Sequence, residues 1–510
     1  MNAIVIILDT LRRDHLGCYG NREIRTPNLD RLARRSTIFA NAYIGSYPCM
    51  PARQDLWTGR LNFLWRGWSP LEWTEDDLVG TLRRAGKPSM LITDHYHLWS
   101  YGSGNYHMSF SGVELIRGQE RDNWRTDPDV PIRWPARPSK LNHMWERYAR
   151  NTALRRGEED FFPAQVFSRA AQWVDDNHRR EDFLLLIDCF DPHEPFDPPR
   201  EYVELYDPGY SGEELIWPRY GRPRSHEYTA REIDHCHALY CGEVSLVDRW
   251  FGRFLDKVEE KGLLSNSMLI VTSDHGFLFG EHDWLGKHSP TLYQHIVHTP
   301  LLLYHPAQRE AGGRVTQLAQ MMDLQPTVLE AMGVEAPEGI HGRSLLPLVS
   351  GDGRQEGRAL AVFGAFGGSV YATDGHWVFV KRPTSAGAPL NWYTLSNFNQ
   401  WQFGEGQDIQ ATRQRLRQYK DGRFPAQSRA DAFNDAAPRP IRLVDQDLAP
   451  RDHDGDELYH VSSDYAQNEN LAAHHPDIAE RFSRQLAHYL QQLDAPDEQL
   501  DRLGLRGYAW

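Results

Sequence analysis

Short apolar runs recur along the chain with amphipathic segments between them, and this alternation restricts the fold more than any other feature. The runs are residues 3–8, 90–92, 183–187, 268–271 and 301–304. Their length and continuity suit strands buried on both faces. Segments 28–35, 78–85 and 166–177 carry apolar residues three and four apart, as Leu29, Leu32 and Ala33 do, which is the spacing of one helix face. A longer segment, 238–261, repeats the pattern through Leu239, Val244, Val247, Phe251, Phe254 and Val258. Strands alternating with helices predict an α/β fold with a mixed, mostly parallel sheet sandwiched by helices.

Two stretches break the rhythm. Residues 100–160 and 195–230 are rich in Arg, Trp and Pro, too polar for core strands, and read as long insertions over the active-site face. Their aromatics suit a sugar or aryl platform, or ordinary loop packing. At 510 residues the chain exceeds one ordinary core, so two domains are expected. The turn-rich Gly351-Asp352-Gly353-Arg354 marks the boundary, giving a catalytic domain over 1–355 and a smaller C-terminal α+β domain over 356–510. In the latter, residues 361–363, 369–373 and 376–381 predict an antiparallel sheet, with Asp374-Gly375 as a two-residue hairpin turn. Residues 385–440 are polar, and a last helix over 476–493 aligns Ile478, Phe482, Leu486 and Leu490.

The net charge of −14 argues against a broad nucleic-acid surface, so any anion site must be a local cationic pocket. No apolar run approaches the length of a membrane span. Residues 3–8 have no basic stretch ahead of them, which argues against a signal peptide and for a cytoplasmic location. The five cysteines, 18, 49, 189, 236 and 241, form no tight disulfide pattern. His235-Cys236-His237 and Tyr240-Cys241-Gly242 raise a zinc site, but their spacing fits no common template, and buried thiols on a helix are the preferred reading. A homo-oligomer is compatible with the sequence.

Polar residues gather where the strands are expected to end. Asp9 follows the first run, Thr93-Asp94-His95 the second, Asp191-Pro192-His193 the third and Ser273-Asp274-His275-Gly276 the fourth. In an open α/β sheet these carboxyl ends converge on the ligand site. An Asp after a strand can simply cap a helix. Together, however, Asp9, Asp274 and His275 suit a divalent cation such as Ca²⁺, Mg²⁺ or Mn²⁺. The segment Cys49-Met50-Pro51-Ala52-Arg53, with Leu56-Trp57-Thr58-Gly59-Arg60 behind it, predicts a helix with Pro51 first and Gly59 as its stop. Cys49 would then lie at the helix start with Arg53 one turn on, the surroundings of a reactive thiol.

That segment resembles the modification signature of the type I, formylglycine-dependent sulfatases of the alkaline phosphatase superfamily. Ile7-Leu8-Asp9-Thr10-Leu11-Arg12 is similar to their opening strand, Tyr19-Gly20 and Thr26 to Ala33 to its continuation, and Val271-Thr272-Ser273-Asp274-His275-Gly276 to their second metal motif. Asp191-Pro192-His193-Glu194-Pro195-Phe196 resembles the segment carrying an active-site His, Gly286-Lys287-His288-Ser289-Pro290 the Gly-Lys segment, and Glu457-Leu458-Tyr459 with Asn470-Leu471 the closing part of the smaller domain. The resemblance implies an alkaline-phosphatase-like fold and a sulfatase acting on a small-molecule or oligosaccharide sulfate ester, of a carbohydrate or an aryl compound. It implies that a formylglycine-generating enzyme converts Cys49 to formylglycine. It implies one divalent metal ion, Ca²⁺ first and Mn²⁺ or Mg²⁺ next, on Asp9, Cys49, Asp274 and His275. Cys49, Arg53, His193 and Lys287 are its catalytic residues, with His193 as the acid, and Thr93, His95 and His97 its substrate side.

Two departures matter. Thr10 stands where many sulfatases have a second Asp, and Thr93-Asp94-His95-Tyr96-His97 stands where many have Gly-Lys-Trp-His. Related phosphonate monoester and phosphodiester hydrolases share the single Asp and the Cys-x-Pro-Ala-Arg segment, so hydrolysis of those esters is the alternative reading. A non-catalytic binding protein on the same fold is disfavoured by the joint presence of Asp9, Cys49, Arg53, His193, Asp274 and Lys287. Asp14 is expected to cap local structure rather than replace the missing carboxylate.

Overall fold

The apolar runs form the middle of an eight-stranded sheet in the computed structural model. The structure describes every residue except 73–75, 101, 351–356, 385–389, 394–439, 444–454 and 509–510. The sheet contains β1 (Asn2–Leu8), β2 (Thr37–Tyr43), β4 (Ser89–Thr93), β5 (Gly112–Leu115), β6 (Leu184–Cys189), β7 (Ser267–Thr272), β10 (Leu301–Tyr304) and β11 (Arg314–Gln320). Their order is β11-β2-β10-β7-β1-β6-β4-β5. β1 lies at the centre, parallel to β6 and β7, with Ile6 opposite Ile187 and Val271. β10 runs antiparallel to both its neighbours.

Alternate residues of β1 feed two cores. Ile4, Ile6 and Leu8 face one layer, and Ala3, Val5 and Ile7 face the other, as a period of two requires of a strand covered on both sides. On the first face, helix Phe162–Asn177 packs on helix Ala230–Glu260, with Phe167 6.0 Å from Phe251 and 6.1 Å from Phe254 between ring centres. The longer helix starts before residue 238, where the apolar pattern alone put it. Thr229 Oγ1 accepts from the Glu232 amide and Glu232 Oε2 accepts from the Thr229 amide, a reciprocal cap that satisfies two orphan donors. β5 lies inside the 100–160 stretch read as insertion; it is an edge strand with half-exposed side chains.

The second sheet joins β3 (Ser46–Tyr47) to β12 (Ala361–Ala365), β13 (Val370–Thr373), β14 (Trp377–Lys381) and β17 (Glu457–His460), in the order β17-β14-β13-β12-β3. Its core of antiparallel strands is the one expected. β3 is a departure, because it comes from the N-terminal part and pairs parallel with β12 through Ser46 and Gly364. The β13–β14 turn is longer than the two residues expected. Thr373 pairs with Val378, and Asp374 Oδ1 accepts from the amides of His376 and Trp377, so the Asp side chain stabilises a wider turn. Helix Pro476–Gln492 lays Phe482, Leu486 and Leu490 into this layer. Two ribbons complete the strands: β8 (Leu278–Phe279) with β9 (Leu285–Gly286), and β15 (Leu390–Tyr393) with β16 (Pro440–Leu443). The boundary segment Gly351-Asp352-Gly353-Arg354 and most of 385–440 lie outside the described residues. Among those described, no helix is long and apolar enough to cross a membrane.

Candidate active site

β3 leads through Pro48 into helix Cys49–Thr58, every residue of which is buried. The helix starts two residues before Pro51, the position expected to be its first. Gly59, at φ 65°, ends it, in the left-handed region where glycine carries no steric penalty. Cys49 Sγ lies 3.0 Å from His275 Nε2 and 3.8 Å from Lys287 Nζ. The expectation of a reactive thiol is corrected here. Burial first and Asp9 second push the Cys49 thiol well above its ordinary range, outweighing Lys287 and Arg53, so the unmodified side chain stays protonated.

The strand ends deliver the acids. Asp9 follows β1 and its amide donates to the Cys189 carbonyl of β6 at 3.0 Å. Asp274 follows β7 and its Oδ1 accepts from the amides of Thr10 (3.0 Å) and His275 (2.9 Å). Ligand atoms of Asp9, Cys49, Asp274 and His275 all lie within 4.8 Å of one another. Thr10 holds a left-handed φ of 62°, rare for a β-branched residue, and its Oγ1 donates to Asp9 Oδ1 at 2.8 Å. Asp9 Oδ2 is buried without a hydrogen bond. Burial and the neighbouring Asp274 push the Asp9 carboxyl up to about 6. Burial acts on Asp274 in the same sense, but His275 and Arg53 outweigh it and hold that carboxyl well below its usual range. His275 Nδ1 donates to the Gly276 carbonyl at 3.1 Å, which leaves the Nε2 lone pair facing Cys49. Only glycine fits at 276, since a Cβ would stand 2.0 Å from the His295 carbonyl oxygen. Two adjoining carboxylates, one with an oxygen held by an ion pair alone, and one imidazole lone pair are a donor set suited to a divalent cation.

Arg53 ties these parts together. Nε and Nη2 bond Asp188 at 2.7 and 2.6 Å, Nη1 bonds Asp274 at 2.7 Å and the Cys49 carbonyl at 3.1 Å, and Nη2 lies 3.0 Å from Asp9 Oδ2. The guanidinium is fully buried, and its fork matches this set as an ammonium could not. Sequence reasoning gives Arg53 a catalytic place beside Cys49; its donors face three carboxylates, so it positions the acids. Thr93 is likewise committed, donating to the Asp188 carbonyl at 2.7 Å and accepting from the His95 amide at 2.8 Å. The hydroxyl expected on the substrate side therefore shapes the strand-end loop. His95 is buried with neither ring nitrogen bonded, and its Nε2 is 3.3 Å from Asp9 Oδ2. His97 stands further out, with Nε2 3.2 Å from Glu120. Asp14 bonds Arg12 and His15, a local role as expected.

The fourth wall is a Lys-His pair. Lys287 follows β9, and Tyr47 donates to its carbonyl at 2.7 Å. Its Nζ contacts His193 Nε2 and lies 3.6 Å from Glu194 Oε1. Burial opposes the ammonium charge, but the acidic groups around the site, Asp9 among them, outweigh it and keep Lys287 cationic. Burial first and Lys287 second hold His193 neutral. His193 Nδ1 contacts the Glu194 carbonyl, so that nitrogen carries the ring proton and Nε2 accepts from Lys287. His193 alone therefore has no spare proton at Nε2 beyond the one Lys287 donates. Burial pushes Glu194 up to about 8, and Tyr220 donates to its carboxyl.

The structure thus brings Asp9, Cys49, Arg53, His95, His193, Asp274, His275 and Lys287 to one place. Sequence reasoning passed over Asp188, Glu194, Glu120 and Tyr220. A charge at the end of the fully buried β6 was the available sign for Asp188, and Glu194 stood unused inside the His193 segment.

The sulfatase family model matches residues 1–334. An arylsulfatase of Clostridium perfringens is 25% identical over 386 residues, covering 68% of this chain and 78% of that protein. The N-acetylglucosamine-6-O-sulfatase of Bacteroides thetaiotaomicron is 24% identical over 407 residues, covering 69% of this chain and 71% of that protein. The phosphonate monoester hydrolase of Agrobacterium radiobacter has the same fold, with a TM-score of 0.69 at 18% identity over 96% of each chain. The chain belongs to the sulfatase family, and its reaction is the hydrolysis of a sulfuric ester.

Proposed function

We propose that the chain hydrolyses a carbohydrate or aryl sulfate through a formylglycine derived from Cys49, beside one divalent cation. The observation that carries this reading is the meeting of Cys49 Sγ with Asp9, Asp274 and His275 inside 4.8 Å, with the Lys287 ammonium 3.8 Å from the same sulfur. Asp9, Asp274 and His275, with the side chain of residue 49, would hold the cation, Ca²⁺ by the preponderance of carboxylate oxygen. Held there, such a cation would make a ligating hydroxyl nucleophilic at neutral pH and would draw charge from a sulfuryl oxygen. Hydrated formylglycine has two hydroxyls on one carbon: one attacks sulfur, and the other, on losing its proton, expels sulfate and restores the aldehyde.

The chain's own groups prepare this chemistry. Arg53 fixes the acids at their separations. Lys287 places a positive charge where the transferring group gathers negative charge. The Lys287–His193 contact supplies the proton for the leaving oxygen, delivered from Nζ or relayed through Nε2. Glu194 is neutral near pH 7 and leaves the lysine charge uncancelled. Cys49 is 3% exposed, so a formylglycine-generating enzyme meets this segment before the fold closes. The sugar-sulfate name of the Bacteroides relative favours a carbohydrate ester.

The test pairs a mass measurement with a rate. The peptide containing residue 49 from active protein is expected to carry the aldehyde, and Cys49→Ala is expected to lose aryl sulfate turnover. Full turnover by Cys49→Ala would sink the reading. The same preparation assayed on aryl phosphonate and diaryl phosphate separates the alternative: faster turnover of either than of aryl sulfate assigns the site to those esters.

A further inference from the structure

A second group of side chains, away from the Cys49 cluster, has the composition of a transition-metal site. His15, in the 3-10 turn Arg13–His15, faces His237 and Cys241 of helix Ala230–Glu260. Positions 237 and 241 are one helical turn apart and share a face. His15 Nε2 lies 2.7 Å from His237 Nε2, and Cys241 Sγ lies 3.5 Å from that nitrogen. All three ligand atoms fall within 4.8 Å of one another. A tetrahedral zinc with Zn–N about 2.0 Å and Zn–S about 2.3 Å sets nitrogen roughly 3.3 Å from nitrogen and roughly 3.6 Å from sulfur. The nitrogen–sulfur distance already matches, and the nitrogen pair needs to open by about half an ångström.

Two further observations point the same way. His15 Nδ1 is 3.0 Å from Asp14 Oδ1, so the carboxylate fixes the proton on Nδ1 and leaves Nε2 free to ligate. A carboxylate behind a ligating histidine is the usual outer support of a zinc site. A cavity of about 550 Å³ borders all three side chains and is lined also by Glu23, Asp207 and Asp234. It provides a route for a cation and room for a water at the fourth position.

We infer that His15, His237 and Cys241 form a second metal site, for Zn²⁺, separate in place and chemistry from the Asp9–Asp274 cluster. Two imidazoles and a thiolate select a borderline cation, whereas paired carboxylates select a hard one. On binding, the Cys241 S–H bond breaks, its proton leaves to solvent and the thiolate bonds the zinc. The site is a clip on the loop that carries Asp9. Between its helix ligands, Tyr240 accepts from the Arg12 amide and donates to the Thr10 carbonyl, both at 2.8 Å. Zinc at His15 would pin the same loop to the same helix a second time. The spacing within 235–241 fits no common zinc template; the structure adds a ligand from the far-removed residue 15.

Cobalt(II) is the probe, used on full-length Cys49→Ala so that no thiolate arises in the active site. After chelation and saturation with Ca²⁺, cobalt is expected to give thiolate-to-metal charge-transfer absorption and intense tetrahedral d–d bands. These should saturate at one equivalent and be displaced by Zn²⁺. Both should vanish in Cys49→Ala/Cys241→Ser and weaken at least tenfold in apparent affinity in Cys49→Ala/His237→Gln. The Cys49→Ala parent should release about one proton per zinc and melt at a higher temperature as zinc is raised, which needs no variant of the cluster to fold. No charge-transfer band, or a band that survives Cys241→Ser, overturns the inference, as does zinc addition that releases no proton from the parent.

Discussion

Replacing Asp188 by asparagine perturbs the site while leaving the whole 49–60 segment, and so its oxidation, intact. Asp188 accepts from Arg53 Nε at 2.7 Å and Nη2 at 2.6 Å, with both partners fully buried. Asparagine keeps the shape but has one acceptor oxygen. One charge-assisted hydrogen bond is lost, about 1.5–3 kcal/mol, and the new amide N–H₂ faces a guanidinium N–H with no acceptor, a further 1–3 kcal/mol or so. The freed end of Arg53 turns to Asp9 and Asp274, already 3.0 and 2.7 Å from its nitrogens, and competes there with the cation. At about 1.36 kcal/mol per decade, the sum predicts a fall of roughly 10²–10⁴ in kcat/KM. The assay is aryl sulfate turnover at saturating Ca²⁺, normalised to the aldehyde content of residue 49 by peptide mass. An Asp188→Asn enzyme within threefold of the parent, at equal aldehyde content, would falsify the view that Arg53 acts by holding the acids.

Further outcomes follow from the same geometry. Glu194, raised from 4.5 to about 8, is neutral at low pH and becomes charged as pH rises through 8, so kcat/KM should drop about tenfold per unit above that point; the pH profile of Glu194→Gln should lack this limb. In the folded state the penalty for ionising Glu194 is absent below 4.5 and complete above 8, so its contribution to stability declines across that window. Chelation should abolish turnover and Ca²⁺ restore it, and a chelated enzyme at full rate would remove the cation from the scheme. Gly276→Ala should cost roughly 1–3 kcal/mol or more through its clash with the His295 carbonyl and shift His275; an unchanged melting temperature refutes that placement.

How much could be read from residues alone differs sharply between elements. β1, β6 and β7 are apolar on both faces, so their runs are unmistakable. β2 and β11 alternate or carry polar residues through Asn41, Thr316 and Gln317, and it is pairing, of β11 with β2 and of β2 with β10, that makes strands of them. Pairing of β3 with β12 joins segments far apart in the chain, and no local pattern encodes that. At the site, position was legible and orientation was not. Thr93 does end a strand beside the acids, but which way its hydroxyl points depends on the neighbouring Asp188 carbonyl. Arg53 was visible as a cation near Cys49, while its three carboxylate partners come from three different strands.

Under the proposed function, that arrangement favours Lys287 over Arg53 as the cation that meets the substrate. Arg53 lies among Asp9, Asp188 and Asp274, so its charge is more than balanced before any ester arrives. Lys287 has one carboxyl at 3.6 Å, and that carboxyl is the protonated Glu194. Its charge is therefore free to act on a sulfuryl group next to residue 49. At 3.8 Å from the position of the Cys49 sulfur and an effective dielectric of about 20, a unit charge contributes about 4 kcal/mol. Lys287→Met should accordingly lower kcat/KM by about 10³, and Lys287→Met/Glu194→Gln should be no worse, since Glu194 has no role once the lysine is gone. A double variant markedly slower than Lys287→Met would mean that Glu194 acts on the substrate itself rather than by leaving the ammonium charge unopposed.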